Sequence, residues 1–266
     1  MRRLIVFDLD GTLAASKSPL DDETAALLAE LLALISVAVI SGADWPQFEV
    51  QLVRRLPAGA QLGRLALLPA CGTKFYRCEG GWRKIYSEDF TAGERDKVIH
   101  ALRSAVAAAG IPAVMSDGET IEDRGGQITF SALGQRAPLA SKQCWDPDFT
   151  RRHRIMAVLE PLLPGFAVHL GGTTSIDVTR GGIDKAYGMR KLTQVLGIPL
   201  AGMIYVGDAL FPGGNDYPVQ QAGVACLRVR DPADTRLVIR TLIASLASGL
   251  PDEPVVPSFP VPAEGH

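Results

Sequence analysis

The chain has 266 residues, 47% of them apolar and 21% charged, enough to bury a sizeable core in one large or two modest domains. Its 27 basic and 29 acidic residues leave a net charge of −2 with no run of like charge, so no basic field for nucleic acid is present. Cys71, Cys78, Cys144 and Cys226 form no zinc pattern, and no apolar stretch is long enough to span a membrane; reduced thiols and a cytoplasmic location are expected.

Arg2-Arg3 precede an apolar run that is too short for a signal peptide and is broken by Asp8 and Asp10; Leu4–Phe7 is therefore a strand. Asp22–Leu34 has the length and apolar content of a helix, with Asp21, Asp22 and Glu23 at its start to suit the helix dipole. A buried strand over Ser36–Ile40, a helix over Trp45–Arg55 and a short strand over Leu65–Leu68 follow. This alternation implies a parallel sheet with right-handed crossovers.

From Trp82 the pattern changes. Strands are expected at Trp82–Tyr86, Glu119–Asp123, Gln127–Ser131, Phe166–Leu170 and Thr174–Val178, the last two split by Gly171-Gly172 as a hairpin. Helices lie between them: one from the capping box Thr91-x-x-Glu94 through Ala109, another from Asp146-Pro147 to Leu162. Alternation resumes with helix Asp184–Leu196, strand Gly202–Val206, helix Asp216–Ala222, strand Val224–Val229 and helix Asp231–Ala247. The expected organisation is a core domain of residues 1–82 and 183–250 interrupted by an α+β insertion at 83–182. The Pro-rich stretch 251–266, with no periodicity, is read as a disordered tail.

The most informative segment is Leu4-Ile5-Val6-Phe7-Asp8-Leu9-Asp10-Gly11-Thr12, an apolar strand ending in two carboxylates. Ligands bind at the carboxyl ends of strands in open α/β sheets, and Gly11 lets the chain turn at once. One carboxylate can attack while the other handles protons. Val39-Ile40-Ser41-Gly42 ends a second strand in a hydroxyl, and Lys185 opens a helix, where a cation opposes the dipole. Gly207-Asp208 ends another strand, and Asp216 follows across the Gly213-Gly214 turn.

These four segments resemble the motifs of the haloacid dehalogenase (HAD) superfamily, whose members mostly move phosphoryl groups through an aspartyl-phosphate. The resemblance implies a Rossmann-like α/β core with an inserted α+β cap. It implies Asp8 as nucleophile, Asp10 as general acid and base, Ser41 on a phosphoryl oxygen, and Lys185 neutralising charge. Mg2+ would be held by Asp8, Asp208 and the backbone carbonyl of Asp10, with Asp216 supporting the metal shell or Lys185.

The cap's position in the chain is that of type IIB (Cof-like) HAD hydrolases. Pro212-Gly213-Gly214-Asn215-Asp216, Arg124-Gly125-Gly126 and Gly171-Gly172-x-x-Ser175-x-Asp177 further resemble eukaryotic-type phosphomannomutases. Carried over by position, Arg124, Lys142, Ser175 and Asp177 would bind the substrate's distal phosphate and hydroxyls. The pattern departs where a mutase arginine falls on Gln135, with Arg136 one position late, and where the next falls near Lys142. Lysine keeps the charge but loses the bidentate fork. The expected activity is therefore a Mg2+-dependent phosphatase of a small phosphorylated metabolite, a sugar phosphate above all, with a phosphomannomutase as the alternative. The protein is expected to be a monomer or a cap-mediated homodimer, without nucleic-acid or membrane partners.

Overall fold

The computed structural model describes residues 3–111, 116, 118–134, 136–171 and 173–248. Gln135, Gly172 and the tail from 251, about which expectations were stated above, lie outside the described residues.

Seven strands form one sheet: β1 (Leu4–Asp8), β2 (Ser36–Ile40), β3 (Leu65–Leu68), β4 (Lys74–Cys78), β5 (Trp82–Ser87), β10 (Met203–Gly207) and β11 (Ala225–Arg228). Their order is β11-β10-β1-β2-β3-β4-β5, parallel from β11 to β3 and antiparallel beyond. Successive side chains on a strand point to opposite faces, so each apolar run feeds two cores. Ile5, Phe7, Val37, Val39, Leu65 and Leu67 join α1 (Asp22–Leu34) and α8 (Pro232–Ala247) on one face. Leu4, Val6, Ala38, Ile40, Leu68 and Tyr205 join Met189 and Leu192 of α6 (Lys185–Leu196) on the other. By this parity Asp8, continuing Leu4 and Val6, faces the helix that begins with Lys185. Burying each large apolar side chain contributes about 1.5–3 kcal/mol.

The helices start where their caps allow. The Asp21 carboxylate accepts from Thr24 N at 2.7 Å, Asp184 from Tyr187 N at 2.7 Å and Asp231 from Asp234 N at 3.0 Å. The capping box at Thr91 and Glu94 opens α3 (Ala92–Ala108) as expected.

A second, antiparallel sheet is built from β6 (Ile121–Asp123), β7 (Gln127–Ser131), β8 (Phe166–Leu170) and β9 (Ser175–Arg180), in the order β6-β7-β9-β8. Ile128, Phe130, Ile176 and Val178 pack on Val98, Leu102 and Ala105 of α3 and on Ile155 and Leu159 of α5 (Thr150–Leu162). It has its own core.

Several expected elements differ. The strand expected over Trp82–Tyr86, at the opening of the insertion, is β5 (Trp82–Ser87), which forms a hairpin with β4 at the edge of the large sheet, with Phe75 stacked on Tyr86. β4 was not expected, because Lys74-Phe75-Tyr76-Arg77-Cys78 is short and mixes polar and aromatic residues. The helix expected over Trp45–Arg55 is α2 (Trp45–Gln51) followed by a tighter 3₁₀ turn at Val53–Arg55. Leu139–Trp145 forms an unexpected α4. The helix expected from Asp146-Pro147 starts at Thr150, after Phe149 turns left-handed (φ 62°). Asp146 still serves that start, accepting from Arg151 N at 2.9 Å and from buried Arg152 Nε at 2.8 Å.

The loop Ala70–Gly72 ties together the two parts of the core that matter for the site. Cys71 N donates to Ser41 O at 2.9 Å, and Ala70 N to Ala43 O at 2.9 Å. Gly72 (φ 88°) sits so close to α6 that a Cβ there would lie 2.6 Å from Gly188 Cα. A Gly72→Ala variant is therefore expected to lose about 2–3 kcal/mol of stability from strain and overpacking, read as a lowered urea midpoint at unchanged slope.

Candidate active site

Asp8 ends β1 with its side chain 3% exposed, and Lys185 Nζ donates to its Oδ1 at 2.6 Å. The same ammonium donates to Asp216 Oδ1 at 2.6 Å, itself wholly buried. Asp216 is further held by Tyr205 Oη at 2.5 Å and by Ala209 N at 2.9 Å. Asp208 enters from the end of β10: Thr12 Oγ1 donates to its Oδ1 at 3.1 Å and accepts from its backbone N at 3.1 Å. Asp8, Asp208 and Asp216 each bring a carboxylate oxygen to within 4.8 Å of the others.

One lysine among three carboxylates leaves excess negative charge, and the protonation preferences reflect it. Burial pushes the Asp8 carboxyl up to about 8; Lys185 opposes this, and the charges of Asp216 and Asp208 add to it. Burial acts on Asp216 in the same direction, but Lys185, Tyr205 and Ala209 outweigh it and hold that carboxyl below its usual range. Burial alone would lower Lys185; Asp216 and Asp8 overcome it and keep the ammonium charged. The lysine is thus a fixed cation, and Asp8 is the carboxyl of the cluster that most readily holds a proton.

Glycine makes this crowding feasible. Gly11 (φ 90°) lies where a Cβ would come within 2.7 Å of Asp208 Oδ2, and a Cβ on Gly207 would lie 2.4 Å from Asp216 Oδ2.

Asp10 stands two residues beyond Asp8, and its carboxylate is held by donors from outside the cluster. Its Oδ1 accepts from Lys17 N at 2.6 Å and Gln51 Nε2 at 3.3 Å, and its Oδ2 accepts from Gln47 Nε2 at 3.1 Å. The Asp10 side chain is accordingly not one of the three carboxylates that converge; the metal role implied for this residue was through its backbone carbonyl. Ser41 is buried, and its Oγ accepts from Ala43 N at 3.1 Å, which leaves the hydroxyl proton for another acceptor.

Two of the residues expected to bind substrate reach the core next to Ser41. Arg124, 8% exposed, donates through Nη1 to Gly42 O at 3.1 Å and through Nη2 to Glu122 at 2.6 Å, and its buried Nε has no partner among the described residues. A Cβ on Gly42 would lie 4.0 Å from Asp177 Oδ2, and Thr129 Oγ1 holds Asp177 at 2.6 Å. Ser175 on β9 and Lys142 on α4 are both 4% exposed. Thr12, Tyr205, Gln47 and Gln51 had been given no role. Thr12 lay inside the Asp-x-Asp-Gly-Thr motif, and the i, i+4 spacing of the glutamines was the available signal for that pair.

The family described as eukaryotic phosphomannomutase matches residues 79–245, more than half of the chain. The chain belongs to that family. The match includes the whole smaller sheet as well as the returning half of the core. A curated relative, "Phosphomannomutase 2" of Dictyostelium discoideum, is 24% identical over 246 residues, covering 89% of this chain and 94% of its own length. The phosphomannomutase of Spinacia oleracea is 27% identical over 223 residues, covering 81% and 85%.

Among solved structures, a haloacid dehalogenase-like hydrolase from Bacteroides thetaiotaomicron superposes with TM-score 0.60 at 16% identity over 90% of this chain and 99% of that one. The Plasmodium falciparum IMP-nucleotidase superposes with TM-score 0.67 at 16% identity, over 92% of this chain and 69% of that one. These likenesses identify the fold as the HAD fold. No helix among the described residues is long and apolar enough to cross a membrane.

Proposed function

We propose that this family member is a phosphomannomutase-type enzyme that moves a phosphoryl group between the 1- and 6-oxygens of a hexose through an aspartyl-phosphate on Asp8. The observation that carries the chemistry is Asp8 paired with buried, permanently charged Lys185, with Asp208 at the end of the adjacent parallel strand and Asp216 from the loop that follows it. The relatives named phosphomannomutase support the mutase side of the expectation better than the phosphatase side.

The Asp8 carboxylate attacks phosphorus, and the bond from phosphorus to the sugar oxygen breaks. Asp10 gives a proton to that oxygen and later takes one from the hydroxyl that receives the group. Lys185 faces the charge that builds on the phosphoryl oxygens, and the Ser41 hydroxyl donates to one of them. Asp8, Asp208 and the Asp10 carbonyl would hold Mg2+, with Asp216 fixing Lys185. The all-oxygen donor set, three carboxylates facing a single lysine, fits a small hard cation. When bound, Mg2+ would screen the repulsion between carboxylate and phosphate dianion.

We further propose that the smaller sheet unit, from about residue 88 to 182, is the lid over this site. Arg124, Lys142, Ser175 and Asp177 would receive the second phosphate and the sugar hydroxyls, with the free Nε of Arg124 as one donor. A mutase must also keep water from the aspartyl-phosphate while the sugar turns, which lid closure against Gly42 would do. A phosphatase remains the second reading, because Lys142 stands where the family resemblance expects an arginine and grips a distal phosphate less firmly.

Phosphorus NMR with Mg2+ and mannose 1-phosphate, with and without catalytic hexose 1,6-bisphosphate, tests the proposal. Growth of a 6-phosphate signal that depends on the bisphosphate is the expected result. Inorganic phosphate without the 6-phosphate would establish the hydrolase instead, and neither product would remove mannose 1-phosphate as the substrate.

A further inference from the structure

Asp10 has four in-plane acceptor positions on its two carboxylate oxygens, and three are filled by donors from this chain. Lys17 N and Gln51 Nε2 occupy Oδ1, and Gln47 Nε2 occupies one position on Oδ2. Gln47 and Gln51 stand one turn apart on α2, so both amides come from one helix face. Lys17 is held at φ 57°, a left-handed conformation that costs a non-glycine residue about 1–2 kcal/mol and turns its N–H onto Asp10. Gln51 is 2% exposed, and its Oε1 has no partner among the described residues. Its Nε2 donates to Ser18 O at 2.8 Å as well as to Asp10, so a flipped amide would set an oxygen against two acceptors. An orphaned buried acceptor on Gln51 and a strained backbone at Lys17, both residues donating to the same Asp10 oxygen, are costs that packing alone does not require.

We infer that Gln47 and Gln51 are positioning residues that fix the Asp10 carboxylate so that the open position on Oδ2 faces the sugar oxygen. In the forward step the proton on Oδ2 passes to the leaving oxygen as its bond to phosphorus breaks. The three donors then hold the resulting carboxylate in place for the reverse transfer. Because the same oxygen accepts from Gln47 in both states, the group changes protonation without rotating. The inference rests on the acid–base role proposed for Asp10.

Leaving-group dependence separates this role from a structural one. A sugar oxygen needs a proton as it leaves, whereas p-nitrophenolate does not. A Gln47→Met variant is expected to lower kcat with mannose 1-phosphate about tenfold to a hundredfold, with KM changed less than about twofold. Single-turnover release of nitrophenolate from p-nitrophenyl phosphate should fall less than about threefold. Gln51→Met should show the same contrast, and Gln47→Asn, which withdraws the amide by one methylene, provides a second test if the methionine variant folds poorly.

Equal losses on both substrates, or no loss with the sugar phosphate, would overturn the inference. An Asp10→Asn control distinguishes its failure from that of the underlying reading. If that control shows the contrast and the glutamine variants do not, only the positioning role falls. If the control shows none, the acid–base role of Asp10 falls and takes the inference with it.

Discussion

An Asp8→Asn variant is expected to lose at least about four orders of magnitude in turnover while folding at least as stably as the parent. The amide is nearly isosteric but cannot attack phosphorus, so no aspartyl-phosphate forms. Stability should not suffer, because Asp8 is the carboxylate left unbalanced in a cluster of three acids and one lysine. Lys185 keeps Asp216 as its partner at 2.6 Å.

The pH dependence of the metal-free protein gives an independent check. The folded-state pKa of Asp8 lies near 8, above its unfolded value of 3.8, so the folded state holds this proton more tightly than the unfolded chain. Its contribution to stability is therefore fully present below about pH 4 and is lost as pH rises through about 8. In urea titrations without divalent cation, the parent should lose stability across that window, and Asp8→Asn should lack this component. Wild-type turnover by Asp8→Asn would refute the nucleophile assignment, and an unchanged pH profile would refute the charge imbalance.

Lys185→Met should be damaging in both respects. Lys185 is 1% exposed and touches Asp8 and Asp216, which are buried to a similar degree. Removing the cation leaves two carboxylates facing each other in a low-dielectric site. Breaking a buried pair in this way costs about 3–5 kcal/mol, because one charge must be neutralised or the site must open to water. Turnover should fall by about three orders of magnitude, since the attack on a phosphate dianion loses its fixed positive charge. A Lys185→Met, Asp216→Asn double variant should recover much of the lost stability without recovering activity, read by urea unfolding beside the steady-state rate. Recovery of both together would mean that Lys185 acts only through folding.

Asp8→Asn and Lys185→Met thus separate chemistry from stability within a single cluster. The same separation explains why Asp216 is buried so deeply. Tyr205 and Ala209 N fix its two oxygens, so the acid serves to aim Lys185 at Asp8. On the proposed reading, mutase or hydrolase outcome would be decided elsewhere, in the smaller sheet unit, where Arg124 spans to the Gly42 carbonyl beside Ser41.

Much of this was legible in the chain itself. The Asp-x-Asp-Gly-Thr strand end, the Ser41-Gly42 strand end, Lys185 at a helix start and the Asp208 to Asp216 loop are local patterns. Strand alternation also put Asp8 on a definite face of its sheet, because side-chain direction along a strand has a period of two. The apolar runs placed most of the parallel sheet, and the capping box at Thr91 and Glu94 the start of α3, for the same reason: they depend on neighbours a few residues away.

What the tertiary structure decided depends on residues far apart in the chain. Lys185 and Asp8 are 177 residues apart, and no local pattern says which of three carboxylates shares the ammonium. Nor could spacing show that Trp82–Ser87 pairs in the large sheet rather than the smaller one, since a hairpin strand reads alike in either. The turn of the Asp10 carboxylate toward Gln47 and Gln51, some forty residues on, belongs to the same class. The sequence determined which chemical groups stand at the strand ends, because backbone periodicity is local. Their pairing, burial and protonation were decided only by packing, because these depend on how closely distant segments approach and how much water that approach removes.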